Sequence, residues 1–121
     1  MLKREDIRKD AAKFSNEPMD VDGSLFLYHP VPTNGIGYLE LMFDVKKLAP
    51  EKVPYLGLLR SGLGYVDTAG YTYGELPNEI NAETGGIQCG VEVFEQADSI
   101  EEYRAFFSLR GKVMYPKTDV L

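Results

Sequence analysis

The chain has 121 residues, of which 44% are hydrophobic and 26% charged, and this composition excludes disorder and fits one folded soluble domain. A net charge of −6 opposes binding to the phosphate backbone of nucleic acids. No apolar run approaches the roughly 18 residues that a membrane-spanning helix needs. The N-terminus lacks the apolar core of a secretory signal, and the single cysteine, Cys89, excludes an internal disulfide.

The beginning of the chain predicts a connecting arm. Residues 2–14 carry a thin apolar stripe among charges, which indicates a weak helix. Residues 15–24, with the sequence SNEPMDVDGS, are rich in turn formers and acids, as is typical of a linker. We therefore interpret residues 1–23 as a partly helical linker arm. Residues 24–121 then form a single α+β domain, truncated at its C-terminus.

Two apolar segments after the arm predict a first pair of strands. Residues 24–29 form a short apolar run that is bounded by turn formers. Residues 35–45 alternate, so that every second side chain lies on one apolar face of a strand: Leu39, Leu41, Phe43 and Val45. The short connection between them contains Asn34-Gly35, a strong turn signal. The pattern predicts a β-hairpin that joins these two segments.

The middle of the chain predicts two helices. Ala49-Pro50-Glu51 is typical of a helix start, because proline there loses no hydrogen bond and the acid lies near the positive end of the helix dipole. The first helix ends at Gly62 or Gly64 and carries an apolar stripe of Val53, Leu56, Leu59 and Leu63. Thr72 and Glu75 have the spacing of a capping box for the second helix. Pro77 places its regular part nearer that proline, and Thr84-Gly85-Gly86 stops it.

The last third of the chain predicts a second hairpin. Residues 87–93 alternate in a half-buried strand whose apolar positions are Ile87, Cys89, Val91 and Val93. Residues 103–113 alternate likewise, with a polar face of Arg104, Ser108, Arg110 and Lys112. The predicted order is a helical arm followed by β-β-α-α-β-β. Such an order indicates an α+β fold in which helices pack on one face of an antiparallel sheet.

Residues that could perform chemistry are scarce. His29 is the only histidine, so the two-histidine zinc motif H-x-x-E-H cannot occur within the chain. Cys89 alternates with Ile87 and Val91, which favours a small buried hydrophobe over a reactive thiol. His29 precedes Pro30 at a strand end, which favours a turn or surface residue over a ligand. We assign no catalytic, cofactor-binding or metal-binding residue.

Three short motifs occur in a characteristic order: Thr33-Asn34-Gly35, Leu63-Gly64 followed by Thr68, and Thr84-Gly85-Gly86. In this order and spacing the chain resembles the insulinase-like (pitrilysin-type) zinc metallopeptidases, in the presequence-protease subgroup. The similar region is the first domain of their non-catalytic C-terminal half. The resemblance covers about residues 24–112, and the opening arm is similar to the link between the two halves.

The resemblance implies a parent zinc metalloendopeptidase whose two halves close around a peptide chamber. Its zinc, histidines and glutamate base belong to the N-terminal half, so none is carried over and no cofactor is expected in this segment. We expect a non-catalytic, chamber-forming domain whose partners are the catalytic half and peptide substrates, with no nucleic acid and no membrane. The implied location is the cytoplasm in a bacterium and an organellar matrix in a eukaryote.

Two other functions stay open from the sequence. One is a free-standing binding or assembly module of the same fold without enzymatic activity. The other, the weakest, is a thiol enzyme built on Cys89 and His29. We interpret the chain as an excised fragment, because it stops soon after the strand at 103–113. Its exposed sheet edge and apolar surface should then make it self-associate through the sheet or the arm.

Overall fold

The computed structural model describes residues 3, 13–96 and 98–116. It groups the chain into two compact units, Met1–Thr33 and Asn34–Leu121. The helix predicted over residues 2–14 lies almost entirely outside the described residues. Of that segment, Lys3, Lys13 and Phe14 are described, and they have no regular secondary structure.

The first unit contains a two-stranded antiparallel hairpin. Strand β1 (Glu17–Val21) pairs with strand β2 (Ser24–Tyr28) through the two-residue turn Asp22-Gly23. Both turn residues have positive φ, 51° and 79°, which is the conformation that tight hairpins favour. The amide of Gly23 also donates to the Asp20 side chain at 3.1 Å. The prediction of a linker over residues 15–24 was therefore wrong.

The predicted partner of β2 was also wrong. The strand at 24–28 pairs with β1 and not with the strand that follows Asn34-Gly35. Asp22-Gly23 closes a two-residue hairpin, whereas Pro30 and Pro32 supply no backbone donors to the longer connection. The strand pairing thus groups β2 with the residues before it. The domain boundary after residue 23 stays a prediction.

The second unit is built on a three-stranded antiparallel sheet. Strand β5 (Ser99–Met114) lies in the middle, between β3 (Ile36–Asp44) and β4 (Ile87–Gln96). The predicted strands at 35–45, 87–93 and 103–113 and the hairpin of the last two are confirmed. The described order is β-β-β-α-α-β-β, one strand more than predicted. The α+β class is confirmed.

Both predicted helices are present between β3 and β4. A 3-10 turn at Pro50–Lys52 leads into α1 (Val53–Gly62), and α2 spans Leu76–Glu83. Pro77 lies in the first turn of α2, where its missing N–H costs no helical hydrogen bond. Thr84 ends α2 by donating its hydroxyl to the Ile80 carbonyl oxygen at 2.6 Å. The predicted starts and stops of both helices are confirmed to within one or two residues.

The core of the described structure is small. Phe107 and Val113, both on β5, are the buried apolar residues among those described. Neither helix has a buried residue, and the most extensive helix–sheet contact is that of α1 with β4. In the predicted stripe of α1, Leu56 is half-buried and the other three residues are exposed. The helices therefore cover the sheet less completely than the sequence predicts.

Candidate interaction surface

The three-stranded sheet has two chemically distinct faces, because paired residues on antiparallel strands share a face. Its apolar face consists of Leu39, Leu41, Phe43, Ile87, Cys89, Val91, Val93, Ala105, Phe107, Leu109 and Val113. Its polar face consists of Tyr38, Glu40, Met42, Asp44, Gln88, Glu92, Phe94, Arg104, Phe106, Ser108, Arg110 and Lys112.

The apolar face is open around its most buried residue. Phe107 is only 5% exposed, yet its partners on the two neighbouring strands, Phe43 and Val91, are 52% and 45% exposed. Val93, next along β4, is 61% exposed. Contiguous exposed apolar residues of this kind are typical of a surface that another polypeptide covers.

Arg110 organises the polar face. Its Nε donates to Glu40 Oε1 on β3 at 2.7 Å, and a second nitrogen makes an ion pair with Glu92 on β4. The hydrogen bond to Glu40, together with the two carboxylate charges, raises the pKa of Arg110 above its ordinary value. One guanidinium thus links all three strands. The pairs are solvent-exposed, so they fix geometry more than they add stability.

Ser108 corrects the predicted polar face of β5. The alternation placed it on the solvated face, but it is 2% exposed. Its nearest cross-strand partner is Gly90, which has no side chain, and a Cβ built there would lie 3.7 Å from Ser108 Oγ. Arg110, two residues along the same face, reaches to Glu92. The hydroxyl therefore lies beneath larger polar neighbours, a burial that sequence alternation alone does not show.

The two residues considered for thiol chemistry lie in different units. His29 Nδ1 is 2.8 Å from Asn16 Oδ1, and His29 is exposed, as its predicted role as a turn or surface residue requires. Cys89 is half-buried, and its thiol donates to the Arg60 carbonyl oxygen of α1 at 3.4 Å. Each residue makes its hydrogen bond within its own unit. These contacts give the thiol-enzyme hypothesis no support.

The described part of the chain lacks two further features. Residues 3, 13–96 and 98–116 contain no group of three or more His, Cys, Asp or Glu side chains placed to hold a metal ion. Within the same residues, no helix is both long enough and apolar enough to cross a membrane.

Strand β3 has a free edge among the described strands, since it pairs only with β5. At its two ends, the Gly35 carbonyl accepts from Tyr115 N–H, and Val45 N–H donates to the Ala105 carbonyl, both at 2.9 Å. Backbone groups along a strand alternate in direction, so the odd-numbered residues of β3 face β5. The even-numbered residues direct their N–H and C=O groups outward. Sequence reasoning did not single out this edge, whose signal was an unbroken alternation without proline.

Comparison with known proteins shows the family. All of the chain, residues 1–121, matches the family described as Peptidase M-16C associated, and the chain belongs to this family. It is 36% identical to "Protein HypA" of Clostridium perfringens over 98% of its length. It is 31% identical to "Presequence protease 1, chloroplastic/mitochondrial" of Arabidopsis thaliana over 96% of its length. A "Presequence protease, mitochondrial" of Yarrowia lipolytica is 31% identical over 66% of the chain.

These matches confirm the family that the three sequence motifs predicted. The relatives named as presequence proteases have printed locations in mitochondria or chloroplasts. The chain spans 12%, 11% and 8% of the lengths of these three relatives. It therefore corresponds to a non-catalytic part of a peptidase.

Proposed function

We propose that the chain is a chamber-forming domain of a zinc-dependent metalloendopeptidase that degrades peptides. The observation that supports this proposal is the family match over all of residues 1–121, with relatives that are many times longer than the chain. The catalytic half of the parent, with its zinc and its general base, is then the principal partner of this domain. The domain itself contributes a wall that orients extended peptides and limits access of bulk water.

The two faces of the sheet suit the two sides of such a wall. The polar face, tied together by Arg110, Glu40 and Glu92, can meet water and peptide inside a chamber. The apolar face is suited to contact with other parts of a larger protein, because burial of its exposed side chains is favourable. In this proposal the polar face is directed to the chamber.

The names of the relatives suggest the class of peptide. A presequence is a targeting peptide that is amphipathic, rich in arginine and poor in acids. The chain carries a net charge of −6, so its long-range field attracts such a peptide. We propose basic, unfolded peptides as the substrates of the parent enzyme. Its location follows from the relatives: an organelle in a eukaryote and the cytoplasm in a bacterium.

The test compares the longer protein encoded around this segment with the 121-residue chain. We expect the longer protein to cleave a basic presequence peptide and to lose that activity with a zinc chelator. We expect the 121-residue chain to bind no zinc and to cleave nothing. One zinc per chain after dialysis would contradict the proposal. So would peptidase activity of the chain that persists in Cys89→Ala and His29→Ala variants.

The coding sequence around the segment distinguishes the proposal from a free-standing module. An H-x-x-E-H motif upstream in the same reading frame supports the domain of a metallopeptidase. A reading frame without such a motif, whose product binds peptides but cleaves none, supports the free-standing module instead.

A further inference from the structure

We propose that the outer edge of β3 binds an extended peptide as an added strand, and that it selects peptides in which apolar and basic residues alternate. Only the biological source of such peptides rests on the proposed function. The binding itself is a property of the 121-residue chain and can be tested without the parent enzyme. Addition of a strand to a sheet edge is a general mode of peptide recognition.

The backbone of β3 offers a regular set of hydrogen-bonding groups. Five of its nine residues direct N–H and C=O groups outward: Ile36, Tyr38, Glu40, Met42 and Asp44. Natural edge strands are usually protected by lysine, proline or a β-bulge. β3 contains no lysine or proline, and its register with β5 has no bulge. β4, the other edge, has an irregularity between Glu95 and Gln96 and lies against α1.

The side chains of β3 determine which peptides fit. On the apolar face, an added strand meets Leu39, Leu41 and Phe43, of which Leu41 and Phe43 are about half exposed. On the polar face, it meets the carboxylates of Glu40 and Asp44. Since successive residues of a strand alternate between the two faces, the matching peptide alternates apolar and basic residues. The net charge of −6 favours the same choice.

A second copy of the chain is a poorer occupant of this edge. Antiparallel pairing of two β3 strands about their midpoint places Glu40 opposite Glu40. Like charges directly opposite destabilise a strand pair. Each copy also carries a net charge of −6, which adds a longer-range repulsion. The observations therefore favour a basic peptide.

The first experiment measures amide hydrogen exchange of the chain by NMR, with and without a synthetic peptide of alternating lysine and leucine. The peptide has about nine residues, the length of β3. We expect the amides of Tyr38, Glu40 and Met42 to exchange at least about tenfold more slowly when the peptide is bound. The amides of Leu39 and Leu41, which face β5, should not change. Slowing confined to β4, or no slowing at saturating peptide, would overturn the proposal.

Two peptide controls test the selectivity. A peptide of the same composition with its lysines and leucines in separate blocks should bind at least about tenfold more weakly, because only one face can match. A peptide of alternating glutamate and leucine should not bind measurably. Equal affinity of all three peptides would contradict selection by the two faces.

A matched pair of proline variants then locates the site. Met42→Pro removes an outward N–H of β3 and should weaken binding about tenfold, because the ring also blocks a neighbouring hydrogen bond. Val93→Pro makes the equivalent change on the outer edge of β4 and should leave the affinity unchanged. The reverse result would move the site to β4 and refute the proposal.

A second readout does not depend on the folding of these variants. Peptides methylated at every second backbone nitrogen can offer only one hydrogen-bonding edge. The form methylated on the edge that meets β3 should lose binding, whereas the other form should keep it. Equal binding of the two forms would show that the peptide adds no strand.

Charge variants test the acidic side chains. Glu40→Gln with Asp44→Asn should weaken binding of the lysine–leucine peptide several-fold and reduce its salt dependence. Glu51→Gln with Glu79→Gln removes two charges from the helical segments and should have a smaller effect. Similar loss in both pairs would contradict local recognition at β3. Absence of peptide binding would refute the edge proposal even if the longer protein is an active peptidase.

Discussion

The two faces of the three-stranded sheet differ in how far each is satisfied by the chain itself. On the polar face, Arg110 is held by two carboxylates from the neighbouring strands, and Ser108 is buried. On the apolar face, Phe107 is buried, but its cross-strand partners Phe43 and Val91 remain about half exposed. The polar face is thus complete within the described structure. The apolar face still has hydrophobic area that further burial would stabilise.

This difference separates two ways of being on the surface. Charged residues on a solvated face need only water and each other, and their pairs add little stability when exposed. Exposed aromatic and branched residues instead favour contact with another polypeptide surface. A domain that forms a wall within a larger protein requires both kinds of face. The comparison predicts that mutations on the two faces will differ in kind as well as in size.

Truncation of Phe107 should have the largest effect. Phe107→Ala removes a buried ring from the centre of the apolar face and should lower the free energy of unfolding by about 3 kcal/mol or more. Phe43→Ala removes the same ring from its cross-strand partner, which is 52% exposed. Its cost should be about 1 kcal/mol or less, because little burial is lost. Urea denaturation of both variants checks this contrast, and equal losses would show that the apolar face is evenly covered.

The elements of the second unit could be predicted because their signals are local. Strand alternation over 87–93 and the proline before α1 depend on residues close together in the chain. The hairpin of β4 and β5 was found for the same reason, since only a short connection separates the strands. The family was also visible, because the glycine motifs mark turns and helix ends.

The pairing of β2 could not be decided in the same way. Two turn signals, Asp22-Gly23 and Asn34-Gly35, flank this strand, and each can close a hairpin. The choice depends on the pairing energy of β1, whose sequence, with a proline and two acids, resembles a linker. The burial of Ser108 and the open edge of β3 depend on neighbours far apart in the chain. Sequence periodicity therefore gave the faces but not their covering.

Self-association should show the second-largest effect. We expect the chain to form dimers or larger species at about 100 µM by burying its apolar face. Val93→Lys, which places a charge on that face of β4, should shift light scattering towards the monomer and reduce binding of a hydrophobic dye. Gln88→Lys introduces the same residue on the polar face of the same strand and should leave both unchanged. A strict monomer without dye binding in the unaltered chain would show that the apolar face is already sealed.

Loss of the Arg110 network should have a smaller, salt-dependent effect. Arg110→Gln leaves Glu40 and Glu92 without their shared cation, so stability should fall slightly at low salt. The loss should shrink in about 1 M salt, where charges are screened within roughly 3 Å. Arg104→Gln changes the same residue type on the same strand and face, where the described structure has no ion pair, and serves as the control. An equal response of both variants to salt would indicate a general charge effect.

The smallest effect concerns the start of α2, away from both faces. Glu75 Oε2 accepts hydrogen bonds from the hydroxyl of Thr72 at 2.8 Å and from its amide at 3.1 Å. These bonds, the side-chain bond first, lower the pKa of Glu75 below its ordinary value of 4.5. Because the pKa is depressed in the folded state, the stabilisation is fully present above the ordinary value. It is lost as the pH falls through the lowered value.

An NMR titration of the Glu75 carboxyl measures this shift directly. We expect it to titrate below 4.5 in the unaltered chain and closer to 4.5 in Thr72→Val, which removes the hydroxyl donor but keeps the amide. Glu75→Gln should lower stability near neutral pH and cause no loss once the carboxyl is protonated. Titration at or above 4.5 in both proteins would show that Thr72 does not hold the carboxylate in solution. The two sheet faces should be unaffected by either variant, because the capping contact involves only Thr72 and Glu75.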